Sequence, residues 1–309
     1  MNGSAKNGFA GQLTGEVKLA EPLARYTTYR IGGPARALVL PRTADDVCTA
    51  VRVARREGLP WLAIGLGSNL LISDSGFPGI VIRLGKGLDQ VERAGPEGSL
   101  WTVGAGLPTP LLARQSVAAG HGGAQRLIGV PGTIGGGVFM NAGAHGEDFS
   151  QITSSVKLVS QMGEMLTVPG KDIAWRYRDS HLQGVVVSAT VQLEPGDPEK
   201  VKDELARYLK KRREGTPFDE PCCGSVFRNP DGGRTAGQLI ELCGLKGFRQ
   251  GGAEVSPKHA NYIVNVGSAT AADVRSVIDT VSQRVESEFG VRLVTEVKLI
   301  GFDKSPGSN

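Results

Sequence analysis

The sequence predicts an α+β or α/β chain of about two domains. Three observations carry that prediction. Its 309 residues are about twice the roughly 150 of an ordinary domain. Short apolar runs alternate with capped helical stretches through the first third, and from about residue 154 the pattern turns to β-branched runs before further helices return.

Composition narrows the function classes. Glycine is 44 of 309 residues without a collagen period, which implies many tight turns and close backbone approaches. Lys+Arg 35 against Asp+Glu 31 leaves +4, too slight for a protein that coats nucleic acid but compatible with a few cations around an anionic small ligand. No apolar stretch approaches the roughly 18 residues of a membrane span, and the N-terminus lacks an export signal, so a cytoplasmic protein with no membrane partner is expected. Cys48, Cys222, Cys223 and Cys243 form no C-x-x-C pair, and reduced thiols are the plain reading. Four scattered histidines have no metal spacing, so no metal site is expected.

The elements follow in order. Residues 1–15 and 304–309, rich in Gly, Ser and Asn, are expected to be disordered. ALVLP at 37–41 is a strand, and Thr43 with Asp46 three residues on has the capping-box spacing of a helix that Gly58 closes. WLAIG (61–65), IVIRL (80–84) and LWTVG (100–104) are strands, and Thr109-Pro110 opens a second helix ended by Gly120. A glycine-dense segment at 129–146 interrupts all periodicity. SSVKLVSQMGEMLTV reads as two strands around Met162-Gly163, and VVVSATVQL (185–193) as a third. Asp197-Pro198 opens a helix ending in Lys210 to Arg213, the natural seam between domains. A helix near 235–243, a strand at 262–265, a long helix from Thr270 with Asp273 to Gly290, and a last strand VRLVTEVKLI complete the chain.

Two loops stand out. GLGSNLLISDSG (65–76) follows a strand, and its backbone N–H groups, with Ser68 and Asn69, could approach a phosphate; Leu70 breaks the dinucleotide fingerprint, so a Rossmann reading fails. IGVPGTIGGGVFMNAGAHGED (128–148) is dense in glycine with almost no charge. Two such loops can clamp one pyrophosphate, or the second can be a crossover packed under a sheet. Tyr177-Arg178-Asp179-Ser180 forms a polar turn, Ser225 in GSVFRNP sits at the head of a short strand, and Glu296 lies within the last strand. Each of these could equally be a solvated loop, a strand cap or a cross-strand partner.

Taken together, the segments YTTYRIGGPA, GLGSNLLISDSG, GVPGTIGGGVFMNAGAHG, YRDS, GSVFRNP, AGQLIELCGLKG, GAEVSPKHANYIVN and TEVKLIG resemble the UDP-N-acetylenolpyruvoylglucosamine reductase (UDP-N-acetylmuramate dehydrogenase) family, collinearly over about residues 22–302. The resemblance implies a vanillyl-alcohol-oxidase/PCMH-type FAD-binding domain over 16–196, with lobes at about 16–86 and 87–196, and a C-terminal α+β substrate-binding domain over 197–303. It also implies peptidoglycan precursor synthesis, with non-covalent FAD, NADPH as co-substrate, a UDP-sugar enolpyruvyl ether as substrate, and a monomer or weak oligomer. Arg178 matches the family's catalytic arginine, Ser225 its proton donor and Glu296 its catalytic glutamate. The FAD contacts map onto Gly65, Gly67, Ser68 and Asn69 and onto Gly132, Thr133, Gly135 and Asn141. Tyr177, Arg212, Arg213 and Asn229 are expected at the substrate, the run Lys210 to Arg213 being otherwise a helix end that complements its own dipole.

The passage VQLEPGDPEK runs straight from strand to helix, resembling the shorter subtype that lacks a tyrosine-bearing loop. Arg213-Glu214-Gly215-Thr216-Pro217 stands where the family carries a lysine, so the cation that reaches the diphosphate stays open. Glu296 is either a neutral carboxylic acid that donates a hydrogen bond or an ionised group that orients Arg178. Another flavin oxidase or dehydrogenase of the same fold, or a non-catalytic nucleotide-binding module, are the alternative functions.

Overall fold

Thr43 and Asp46 close the capping box that their spacing predicts: the Thr43 hydroxyl accepts from Asp46 N at 3.2 Å, and the Asp46 carboxylate accepts from Thr43 N at 3.3 Å. The helix they open, α1 (Ala44–Arg56), buries Val47, Ala50, Val51 and Ala54 along one stripe. The structure, a computed structural model, describes residues 11–302. The disorder expected for 1–10 and 304–309 lies outside those residues. Within 11–15 the expectation needs correcting at Thr14, whose N–H and hydroxyl both donate to Asp46 at 2.8 Å.

The chain folds into two compact units. Unit 1 holds residues 11–19 with Arg36–Gly65 and Gly79–Arg212. Its four-stranded sheet has the order Glu16–Leu19, Ala35–Leu40, Phe77–Arg83, Trp61–Ile64. A five-stranded antiparallel sheet runs Met165–Pro169, Thr153–Val159, Val185–Gln192, Leu100–Gly104, Val91–Ala94. The central strand Val185–Gln192 is covered by helix and core, so Val185, Val186 and Val187 are buried in succession. Helix α2 (Thr109–Ala118) follows as expected.

The glycine-dense segment differs from expectation. It contains a short helix, α3 (Ile134–Phe139), because Ile134 and Val138, one turn apart, are both fully buried. Helix α4 (Pro198–Gly215) then carries the chain out of unit 1.

Unit 2 holds Ala20–Ala35, Leu66–Pro78 and residues 213–302. The contact-defined boundary therefore falls at Arg212, with two earlier segments joining the later unit, where the sequence reading is linear with a break near Gly196. The reason is burial: Tyr29, Ile31 and Leu71 belong to the same core as Phe227, Ile240 and Ile278. Strand Leu70–Ile72 pairs in parallel with Lys298–Ile300, and Asn265 Nδ2 donates to Tyr29 O at 3.0 Å. Ala253–Val255 and Ile263–Asn265 form an antiparallel pair. Helices α5 (Ala236–Leu242) and α6 (Ala271–Phe289) complete the unit, α6 with the Thr270–Asp273 capping box and Gly290 at its end.

Two local expectations change here. The last strand is regular only over Lys298–Ile300, so Glu296 lies outside it, just past an isolated Phe227–Thr295 bridge. Ser225 likewise stands in an irregular segment and not at the head of a strand.

Candidate functional site

In unit 1 a cleft of about 270 Å³ opens along the edge strand Trp61–Ile64 and continues over Gly65, Thr133, Gly135, Phe139, Val185 and Val186. Its walls are mainly apolar. Thr133 is 3% exposed, and its hydroxyl has no hydrogen-bond partner among the described residues. A buried, unsatisfied hydroxyl costs about 1–3 kcal/mol, so this atom is suited to a ligand's polar group. A Cβ at Gly65 would overlap the same hydroxyl, which makes Gly65 and Thr133 one cradle. An aromatic cofactor with polar edges fits this donor set.

The other glycine-loop residues are partly committed to the fold. Gly135 N donates to Ala105 O at 2.9 Å, and Gly132 O accepts from Thr109 N at 3.0 Å. Asn141 is buried; its Nδ2 donates to Arg176 O at 3.0 Å and its Oδ1 accepts from Ser150 N at 3.0 Å.

That first bond is one of several joining residues 139–143 to the turn that carries Arg178. Ser180 N and Oγ both donate to Phe139 O (3.3 and 2.8 Å), and Arg178 Nη2 donates to Gly143 O at 3.0 Å. The turn itself closes with Arg176 N to Asp179 O at 2.8 Å. Arg178 has φ of 59°, a left-handed conformation that costs a non-glycine residue on the order of 1 kcal/mol. Its guanidinium stands 4.8 Å from the ring centroid of the exposed Tyr177.

Helix α4 meets the same loop region through Arg212, whose Nη1 donates to Ile128 O at 2.6 Å, and through Tyr208, stacked on His145 at 4.4 Å between centroids. Burial, then Lys211, Arg212 and Arg126, holds His145 below its ordinary pKa and so neutral. Arg213 is exposed and belongs to unit 2, where its carbonyl accepts from Lys258 Nζ at 2.7 Å.

Unit 2 brings Ser225 and Glu296 together through the backbone. Glu296 N and Val297 N donate to Val226 O at 2.8 and 3.3 Å, and Arg228 N donates to Val294 O at 2.9 Å. Beneath this pairing lies buried Asn261, whose Oδ1 accepts from Phe227 N at 2.9 Å while its Nδ2 donates to Phe227 O at 2.8 Å. Sequence reasoning missed Asn261; its one signal was an amide set between Ala260 and Tyr262. Asn229 Oδ1 accepts from Ala236 N at 3.1 Å, which ties it to the start of α5.

Gly67, Ser68 and Asn69 also belong to unit 2. Gly67 has φ of 63° and presses on the backbone at Tyr26 and Thr27, so its lack of a side chain is required by the fold itself. Cys48, Cys223 and Cys243 are free thiols. Burial pushes the Cys223 thiol up to about 12 and raises the adjoining Tyr29 phenol. Among the described residues no three His, Cys, Asp or Glu side chains gather as metal ligands, and no helix is long and apolar enough to cross a membrane.

Residues 35–169 match the FAD binding domain family, and residues 216–300 match the C-terminal domain of UDP-N-acetylenolpyruvoylglucosamine reductase. The chain is 43% identical over 290 residues to the UDP-N-acetylenolpyruvoylglucosamine reductase of Halalkalibacterium halodurans, covering 93% of this chain and 95% of that one. It is 42% identical over 295 residues to reductase 1 of Bacillus thuringiensis, with the same coverage. Among solved structures it is similar to the corresponding reductase of Thermus caldophilus, with a TM-score of 0.79, 33% identity, and 93% and 99% of the two chains covered. The 6-hydroxy-D-nicotine oxidase of Arthrobacter nicotinovorans shares the fold at a TM-score of 0.61 and 13% identity, covering 93% and 89%. The architecture is α+β, with an FAD-binding domain of the vanillyl-alcohol-oxidase/PCMH type.

Proposed function

The chain belongs to the UDP-N-acetylenolpyruvoylglucosamine reductase family, and from that premise we propose that it reduces UDP-N-acetylglucosamine enolpyruvate to UDP-N-acetylmuramate, using FAD and NADPH, in cytoplasmic peptidoglycan precursor synthesis. The observation that carries the reading is the apolar cleft of unit 1, where the unpartnered Thr133 hydroxyl faces Gly65 inside the segment that matches an FAD-binding domain.

When bound, FAD supplies the two-electron hydride chemistry that side chains lack. Gly65, Gly132, Thr133, Gly135 and Asn141, with Gly67, Ser68 and Asn69, are the residues proposed to hold it: Thr133 by its hydroxyl, and Gly135 and Asn141 by shaping the loop. The domain over 16–196 takes this role, and 197–303 takes the substrate. Tyr177, Arg212, Arg213 and Asn229 are assigned to the UDP-sugar.

As the enol ether is reduced at its terminal carbon, negative charge develops on the ether-bearing carbon and spreads into its carboxylate. Arg178, permanently charged and forked, stabilises that charge. The strained backbone at Arg178 supports this role, since strain persists where function needs a fixed geometry. Ser225 donates its hydroxyl proton to the basic carbon. Glu296 acts as a protonated carboxyl that donates a hydrogen bond beside the substrate carboxylate, because a second anion there would oppose the developing charge.

The test is anaerobic. NADPH should bleach the yellow protein, and the enolpyruvyl sugar nucleotide should restore its colour. Bleaching without recovery would indicate a different flavin oxidoreductase, and a protein that takes up no flavin would be a non-catalytic binding module.

A further inference from the structure

Residues 296–298 carry Glu296 through a bend at Val297. The parallel ladder between Leu70–Ile72 and Lys298–Ile300 begins only beyond that bend. A ladder that continued would give each main-chain group of this stretch a backbone partner. Asn69 supplies both a ladder bond and a substitute. Its carbonyl accepts from Lys298 N at 3.0 Å, the backbone bond with which the ladder starts, and its side-chain Nδ2 takes the place of a backbone donor to Glu296 O at 3.2 Å. On the other side, Glu296 N is donated to Val226 O at 2.8 Å, one residue from Ser225. Both main-chain groups of Glu296 are thus held, one toward the serine segment and one by a side chain 227 residues away in sequence.

We infer that Asn69 is a positioning residue for Glu296, its side-chain amide fixing the backbone from which that carboxyl projects. The inference rests on the proposed role of Glu296. Residue type supports it: aspartate has the same shape without the donor, serine is too short to span the same gap, and glutamine is one methylene too long. An amide in a phosphate-approaching loop would be expected to spend its N–H on the ligand; here one of its two amide hydrogens is directed to the segment that bears the acid.

The experiment uses full-length protein with Asn69→Ala, Asn69→Asp, Glu296→Ala and the double variant Asn69→Ala/Glu296→Ala. FAD affinity of the apoprotein is read by quenching of flavin fluorescence, and stopped-flow absorbance follows reduction by NADPH and reoxidation by the enolpyruvyl sugar nucleotide. Losing one positioning hydrogen bond should slow reoxidation by about tenfold, measured on protein saturated with FAD and beyond whatever Asn69→Ala costs in FAD affinity and in reduction rate, because Asn69 is also assigned to the FAD loop. In the Glu296→Ala background the same change should cost less than about twofold, because no carboxyl remains to be positioned. Equal slowing in both backgrounds, or a loss that tracks weaker flavin binding or slower reduction, would overturn the inference and leave the role of Glu296 intact. Normal reoxidation by Glu296→Ala would instead remove that role, and this inference with it. Asn69→Asp covers the chance that alanine perturbs the loop: it keeps the shape, loses the donor, and should match the alanine variant in reoxidation.

Discussion

The hydroxyl of Thr133 occupies the space that a side chain at Gly65 would fill, and it is buried there with no hydrogen-bond partner among the described residues. That relationship separates ligand binding from stability. Thr133→Val should leave the apoprotein as stable as wild type or about 1 kcal/mol more stable, since an unsatisfied buried hydroxyl is removed. It should also weaken FAD binding by about 5–10-fold through one lost hydrogen bond. Thermal unfolding of the apoprotein and a flavin titration check both halves; unchanged flavin affinity would move the cofactor away from this cradle.

Arg178 pairs a strained backbone with the proposed charge-stabilising role. Arg178→Gly adopts φ of 59° without strain, so the apoprotein should stay within about 1 kcal/mol of wild-type stability. The kcat should fall on the order of 10²–10³-fold. A large loss of stability without a specific loss of turnover would make Arg178 a structural residue.

Ser225 has a role in one half-reaction only. Ser225→Ala should leave bleaching by NADPH near its normal rate and slow reoxidation by about 10²–10⁴-fold, the usual worth of a positioned general acid. Stopped-flow absorbance decides it. Equal slowing of both steps would mean that the residue serves the fold or the flavin.

The ionisation of Glu296 can be read from two substitutions. Glu296→Gln keeps a donor and the reach, and should retain more kcat than Glu296→Asp, which keeps the acid but shortens it. The reverse order would argue for an ionised group that orients a cation.

Asp46 links pH to the stability of unit 1. Burial opposes its ionisation, but hydrogen bonds from Arg42 N, Thr14 and Thr43 N outweigh it and hold the carboxyl below its ordinary value. A lowered folded pKa means that this stabilisation is fully present above the unfolded value of about 3.9 and is lost as pH falls through the lower folded one. Asp46→Asn should therefore cost about 2 kcal/mol at pH 7. The difference should shrink through the acid limb of a urea-unfolding series, and a gap that stays constant with pH would place the effect in packing.

Much of the candidate site is legible because its residues sit in locally distinctive segments. YRDS forms a turn, and the strand before Gly65 ends in a loop, as spacing and turn chemistry require. The regular strand expected around Glu296 failed because β-propensity says nothing of where a partner strand stops. The missed residue, Asn261, is an ordinary amide in sequence and becomes a support for the Ser225 segment only when Phe227 lies across it.

The sequence by itself determined the local structure: α1 and α6 open on boxes whose two partners are three residues apart, and the strands Ala35–Leu40, Trp61–Ile64, Phe77–Arg83, Leu100–Gly104 and Val185–Gln192 of unit 1 follow their apolar runs. Those interactions close within one turn or one side-chain alternation, so spacing encodes them directly. Only the tertiary structure decided that Gly65 meets Thr133, that Tyr29 and Leu71 join the core of the C-terminal unit, and that Asn69 holds Glu296. Each of those contacts joins segments far apart in the chain. Their geometry is set by which apolar faces bury one another and by where each strand ladder ends, which no spacing within a single segment records.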